Sequence, residues 1–255
     1  AGRIAAEGLV AVKTSGSSGV VIEVNAETDF VARNDDFKKF VNEVACLALS
    51  AGSKSTDLLT GLMDNGETVN DTINALIAKI GENIKLRRVK FVEIKDGVIC
   101  SYIHNSIAPG LGKIGVLVGI ESEGKKGALE KFGKQLAMHI AATSPRWASI
   151  QDVAENELER EKMILTEQAK TSGKPDKIIE KMVEGRLGKF FSEFVLMEQI
   201  SVIDNETKIS KVIENAESEC GAPLSISGFQ RFSLGEGLEK NANDFAAEVA
   251  ATINS

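Results

Sequence analysis

The chain has 255 residues, 43% of them hydrophobic and 26% charged, enough for one large domain or two or three small ones around a real core. Thirty Lys plus Arg against thirty-seven Asp plus Glu leave a net charge of -7, which repels a phosphate backbone over most of the surface and excludes a general, direct nucleic-acid-binding role. No run approaches the roughly 20 apolar residues of a membrane span, so no membrane contact is expected. Cys46, Cys100 and Cys220 are far apart, odd in number and form no Cys-x-x-Cys pair, which argues against a disulfide framework or a zinc site and for a reducing, cytoplasmic setting.

The chain opens at Ala1 rather than Met, with no basic-then-apolar leader, and this start reads as a fragment boundary. Leu9 to Val12 and Val20 to Val24, parted by Ser15-Gly16-Ser17-Ser18-Gly19, predict a β-hairpin. Asn25 to Asn34 is a loop. Phe37, Phe40, Val41, Val44, Ala45 and Ala48 then fall on one helix face, with Asn34 or Asp35 placed to cap the first turn. Beyond a polar stretch at Gly52 to Thr68, the residues Val69, Ile73, Leu76, Ile77 and Ile80 predict a second amphipathic helix that Gly81 stops.

Lys85 to Ile94 and Val98 to His104, on either side of Asp96-Gly97, predict a second hairpin. Ile114 to Ile120 is a further strand, followed by a helix with Leu129, Phe132, Leu136, Ala137 and Ile140 on one face. A strand, a loop and a helix thus occur twice in the same order. The fold class predicted is α+β, with two related lobes of antiparallel sheet, each carrying helices on one face.

Gln151 to Lys170 and Asp176 to Phe194, joined by Thr171-Ser172-Gly173-Lys174-Pro175, predict a projecting antiparallel coiled-coil hairpin. A helix over Glu206 to Glu219 and a strand over Leu224 to Phe232 complete the second lobe. From Asn241 a last helix places Phe245, Val249 and Ile253 on one face. The expected division is an N lobe at 1–112, the first part of a C lobe at 113–150, the helical hairpin at 151–197, the rest of the C lobe at 198–240 and a C-terminal module at 241–255.

Catalytic parts are scarce. There is no G-x-x-x-x-G-K-[ST] loop, no G-x-G-x-x-G between strand and helix and no nucleophile elbow, so neither a cofactor nor a metal is expected. His104 and His139 are the only histidines. A cofactor-free enzyme using Asp29 as base and His104 as acid would need two groups 75 positions apart, neither with an evident orienting partner. His139, on a helical face with Leu136 and Ile140, reads as a structural histidine.

Thr28-Asp29-Phe30-Val31-Ala32-Arg33-Asn34 closely resembles the signature of the elongation factor Ts family, the guanine-nucleotide exchange factors of the translational GTPase elongation factor Tu. Further blocks are similar and in the family's order: Ala78-Lys79-Ile80-Gly81-Glu82-Asn83-Ile84, Arg87-Arg88-Val89, Ser101-Tyr102 with His104, Ser172-Gly173-Lys174-Pro175, Lys181-Met182-Val183-Glu184-Gly185-Arg186 and Asp244 to Ala251. Family members ordinarily begin with a small three-helix domain similar to ubiquitin-associated domains, which is not in this chain. The resemblance implies a non-enzymatic exchange factor whose partner is elongation factor Tu. Thr28, Asp29, Phe30 and Val31 would form a wedge that enters between two helices of the GTPase and disturbs its hold on Mg²⁺ and the β-phosphate of GDP. Ile80, Gly81 and His104 would supply supporting contacts, and Phe245 and Val249 would mark the C-terminal module's contact. A homodimer through the helical hairpin is left open. The competing expectation is a scaffold or chaperone-like adaptor that holds partners by the hairpin and the C-terminal helix without changing nucleotide release.

Overall fold

Strand alternation decides the architecture, because successive side chains of a strand face opposite ways and each sheet here is apolar on both faces. The computed structural model describes residues 5–52 and 58–238. Strands β1 (Glu7–Ser15) and β2 (Ser18–Ala26) form the expected hairpin, flanked by β3 (Ile84–Glu93) and the short β5 (Leu111–Gly112) in a four-stranded antiparallel sheet ordered β3-β2-β1-β5. Strands β4 (Gly97–His104), β6 (Ile114–Glu121) and β7 (Ser225–Ser233) form a second antiparallel sheet with β6 in the middle.

Leu9, Ala11, Val20, Ile22 and Val24 face helices α1 (Asp35–Ala51) and α2 (Val69–Ile80), whose Phe37, Phe40, Val44, Ile73 and Leu76 complete one core. The intervening residues Val10, Val12 and Val21 turn the other way and meet Ile99, Leu117 and Phe232 of the second sheet. Val98, Cys100, Val116, Val118 and Ile120 in turn face α3 (Lys126–Thr143) and α6 (Ile209–Cys220). The two lobes are therefore stacked back to back as helices, sheet, sheet, helices. Gly115 permits that approach, since a Cβ there would lie 2.6 Å from Val10 Cγ1.

The expected hairpin over Lys85 to His104 is corrected by this topology. β3 stays on β2 in the first sheet, whereas β4 crosses to pair with β6 in the second. Asp-Gly signals a sharp reversal but not the sheet in which the returning strand pairs. Leu86 belongs to the first helix-facing core and Val98 to the second, which one shared sheet face could not satisfy. The repeated strand-loop-helix order is present as β2 to α1 and β6 to α3.

The hairpin helices α4 (Glu155–Lys170) and α5 (Asp176–Phe194) pack on each other, with Leu165, Ala169 and Ile179 their buried residues. At the base, Trp147 and Phe194 both lie against Phe190, and the Arg146 guanidinium stacks on Trp147. No described helix is long and apolar enough to cross a membrane.

Buried Glu23 ties the two sheets together, and buried His139 ties α3 to the segment at 199–202. Glu23, wholly buried on β2, accepts from Gly235 N–H at 2.8 Å, from Asn25 Nδ2 at 2.9 Å and from Arg87 Nη1 at 3.0 Å, and it pairs with Arg88 Nε. Burial pushes this carboxyl up, but the Gly235, Asn25 and Arg88 donors outweigh it and hold it below the ordinary 4.5. Arg88 also bonds Ser233 O, so the segment leaving β7 is strapped onto the first sheet. His139, 1% exposed on α3, bonds Gln199 Oε1 at 2.8 Å through Nε2 and accepts Val202 N–H at Nδ1, which fixes the Nε2-protonated neutral ring. Burial lowers its pKa from 6.5, only partly offset by Gln199.

Both groups have depressed pKa values when folded, so both stabilise at neutral pH and lose that contribution as acid protonates the unfolded chain. Urea unfolding across pH should show stability falling below 6.5 as His139 titrates and again below 4.5 as Glu23 does. Glu23→Gln turns an amide N–H toward cationic donors; at pH 7 it should cost about 2–4 kcal/mol and flatten the second decline.

Candidate functional site

The loop between β2 and α1 is held at both ends. Upstream, Ala26 still pairs with Glu7 and Ile84. Downstream, Asn34 caps α1 by accepting Phe37 N–H at 3.1 Å, and a single 3-10 turn over Val31–Arg33 delivers the chain to that cap. Between these anchors the signature splits by direction. Val31 and Ala32, each 3% exposed, insert into the first core, while Asp29 is exposed and Phe30 is 75% exposed. Val31, expected with the presented residues, therefore anchors the loop from beneath. Its apolar side chain sits over the same core as Leu9 and Phe37.

An exposed phenyl ring is costly in water unless something covers it, and burying it elsewhere is worth about 1.5–3 kcal/mol. Here Val31 and Ala32 occupy the core side of the loop, and Phe30 is left on its solvent side.

The α2–β3 turn comes to the same end of the sheet. Gly81 ends α2 in the left-handed region, φ 82°, with its N–H on Ile77 O at 2.8 Å, and a residue with a Cβ would be strained at that φ. Ile80 is half-buried against the first core and Gly81 is exposed. The next residue, Glu82, bonds Thr28, and Asn83 N–H reaches Glu27 Oε1 at 3.0 Å. Thr28, Asp29, Phe30, Ile80 and Gly81 are thus brought together on one edge. The sequence reading missed Glu27 and Glu82; the available signal was an acidic residue directly after a helix-stopping glycine and another directly before the signature.

His104 stands apart from this group in the chain's sheet order, at the exposed end of β4 in the second sheet, with its ring against Tyr102 and Nδ1 3.3 Å from the Tyr102 hydroxyl. Among the described residues no hydrogen bond or ion pair joins it to Asp29. Nor do the described residues contain a cluster of three or more His, Cys, Asp or Glu able to hold a metal. His139 is buried and doubly bonded, as a structural histidine should be. Phe245 and Val249 of the expected C-terminal module lie outside the described residues.

These features define an α+β protein that presents a supported aromatic loop, a surface suited to another protein rather than to a small molecule. The sequence profile described as Elongation factor TS matches residues 27–236. The chain is 55% identical over 255 residues to "Elongation factor Ts" of Rhodospirillum rubrum, covering 99% of this chain and 82% of that one. It is 53% identical to the protein of the same name from Paramagnetospirillum magneticum, covering 98% and 81%, and 51% identical to that of Brucella ovis, covering 98% and 82%. The chain belongs to the elongation factor Ts family and has that family's nucleotide-exchange role in translation elongation.

If Phe30 is a presented residue, removing its ring should leave the fold alone. Phe30→Ala should shift unfolding free energy by less than about 0.5 kcal/mol, whereas Phe37→Ala, in the core, should cost about 3–5 kcal/mol. Urea titration of both variants reads the contrast.

Proposed function

We propose that the chain binds elongation factor Tu carrying GDP and speeds the release of GDP and Mg²⁺ by inserting the Asp29–Phe30 loop into the GTPase. The observation that carries this reading is the 75% exposure of Phe30 on a loop anchored from both sides and from below. Ile80, Gly81 and His104 act as supporting contacts, and the module at 241–255 adds a further one through Phe245 and Val249.

The mechanism requires no covalent chemistry. A factor that binds the nucleotide-free GTPase more tightly than the GDP-bound form must weaken GDP binding by the same ratio. A phenyl ring worth about 1.5–3 kcal/mol on burial supplies a ratio of about ten to a hundredfold at 1.4 kcal/mol per decade. The ring can exert that difference only if its apolar slot opens in the nucleotide-free state and closes in the other. Asp29, exposed beside it, offers a carboxylate to donors on the partner. The helical hairpin leaves Met163, Ile164 and Ile178 exposed, which supports an additional contact there, with the GTPase or with a second copy of this chain.

Stopped-flow release of a fluorescent GDP from elongation factor Tu is the test. The chain should accelerate release, and Phe30→Ala should forfeit about tenfold or more of the acceleration. Binding without any change in release rate would favour the adaptor reading instead.

A further inference from the structure

We propose that Glu82 is the positioning residue of the Phe30 loop: its carboxylate locks that loop to the Gly81 turn, so that both meet the GTPase as one rigid edge. The proposal rests on the exchange reading above and deepens it. Glu82 follows the left-handed Gly81, where the chain has left α2 and not yet entered β3. Its Oε2 accepts Thr28 N–H at 3.0 Å and its Oε1 accepts the Thr28 hydroxyl at 2.6 Å, a two-pronged hold on the residue directly before Asp29. Glu27 answers by accepting Asn83 N–H at 3.0 Å. Three hydrogen bonds with carboxylate acceptors thus join two loops 54 to 56 residues apart in the chain. Such charge-assisted bonds are about twice as strong as neutral ones.

Their placement gives the clamp a mechanical meaning. The anchors Val31 and Asn34 lie downstream of Phe30, and upstream the paired part of β2 ends at Ala26. Thr28 is therefore the point at which the rising limb of the loop is gripped. A ring on a loose limb must be ordered before it can bind, and it yields when the partner's helices close on it. A ring on a gripped limb keeps its place and the helices must yield. The clamp should accordingly affect the rate at saturating factor more than the affinity, which other parts of the surface share.

Glu82 is half-buried and lies outside the apolar clusters, so truncating it leaves the core side chains in contact. Glu82→Gln preserves both prongs, because the amide oxygen can accept Thr28 N–H while the amide nitrogen donates to the hydroxyl oxygen. Glu82→Ala preserves neither.

The experiment measures GDP release from elongation factor Tu against factor concentration for the wild-type chain, Phe30→Ala, Glu82→Ala and Glu82→Gln. Amide hydrogen exchange at Thr28 is followed in each free protein. Glu82→Ala should lower the plateau rate about tenfold with the half-saturating concentration changed by less than about threefold, and Glu82→Gln should restore most of the plateau. Thr28 should lose amide protection in the Ala variant alone. A wild-type plateau in Glu82→Ala, with Phe30→Ala still defective, overturns the role of Glu82 and leaves the exchange reading standing. A wild-type chain that fails to accelerate release overturns both. A defect in Glu82→Ala that accompanies a lowered melting temperature and is not restored by Gln is a folding defect and also overturns the assignment.

Discussion

A single buried carboxylate holds the strand that carries the loop. Glu23 sits in the middle of β2 with no exposed surface, and its donors come from β2 itself, from β3 and from the segment beyond β7. Moving an ionised carboxylate out of water is expensive, and two arginines with two neutral donors are what make it tolerable. An apolar residue of similar size could fill the volume at less cost, yet it would not dictate which strand lies beside which or where the chain leaves the second sheet. Charge here specifies arrangement: β2 is fixed against β3, and the exit after β7 is fixed against both.

The loop on which the proposed function turns is built outward from that strand. Three residues past Glu23 the pairing of β2 ends and the loop begins, so a shift of β2 would move Phe30 with it. The core beneath takes Val31 and Ala32, the Asn34 cap fixes the departure into α1, and the Gly81 turn closes against Thr28 from the side. Among the described residues, the large apolar group that this edge leaves uncovered is Phe30 at its tip. Exposing it forgoes a few kcal/mol that folding could have gained, and the same free energy becomes available on binding.

Much of this was legible from residues alone. The hairpin, both amphipathic helices with Asn34 and Gly81 at their ends, and the helix-turn-helix after Pro145 follow from periodicity and capping chemistry, which are local. The crossing of β4 to the second sheet was not legible, because alternation says which residues share a face and not which strand will be the neighbour. The division of labour between Val31 and Phe30 was hidden for a related reason: two adjacent apolar residues in a loop point opposite ways, and only the neighbouring core decides which is covered. Glu23 left one trace, an acidic residue inside Val20-Val21-Ile22-Glu23-Val24 where every neighbour is apolar. Its partners Arg87 and Arg88 are distant in the chain, so the pairing needed the fold.

If the loop acts by distinguishing two states of a partner, calorimetry can read the difference. The affinities of the chain and of Phe30→Ala are measured for nucleotide-free and for GDP-bound elongation factor Tu. The chain should prefer the nucleotide-free form, and Phe30→Ala should lose affinity chiefly for that form, pulling the ratio of the two constants toward one. A variant that weakens both affinities by the same factor, leaving the ratio intact, would show the ring to be an ordinary contact with no part in discriminating the two states.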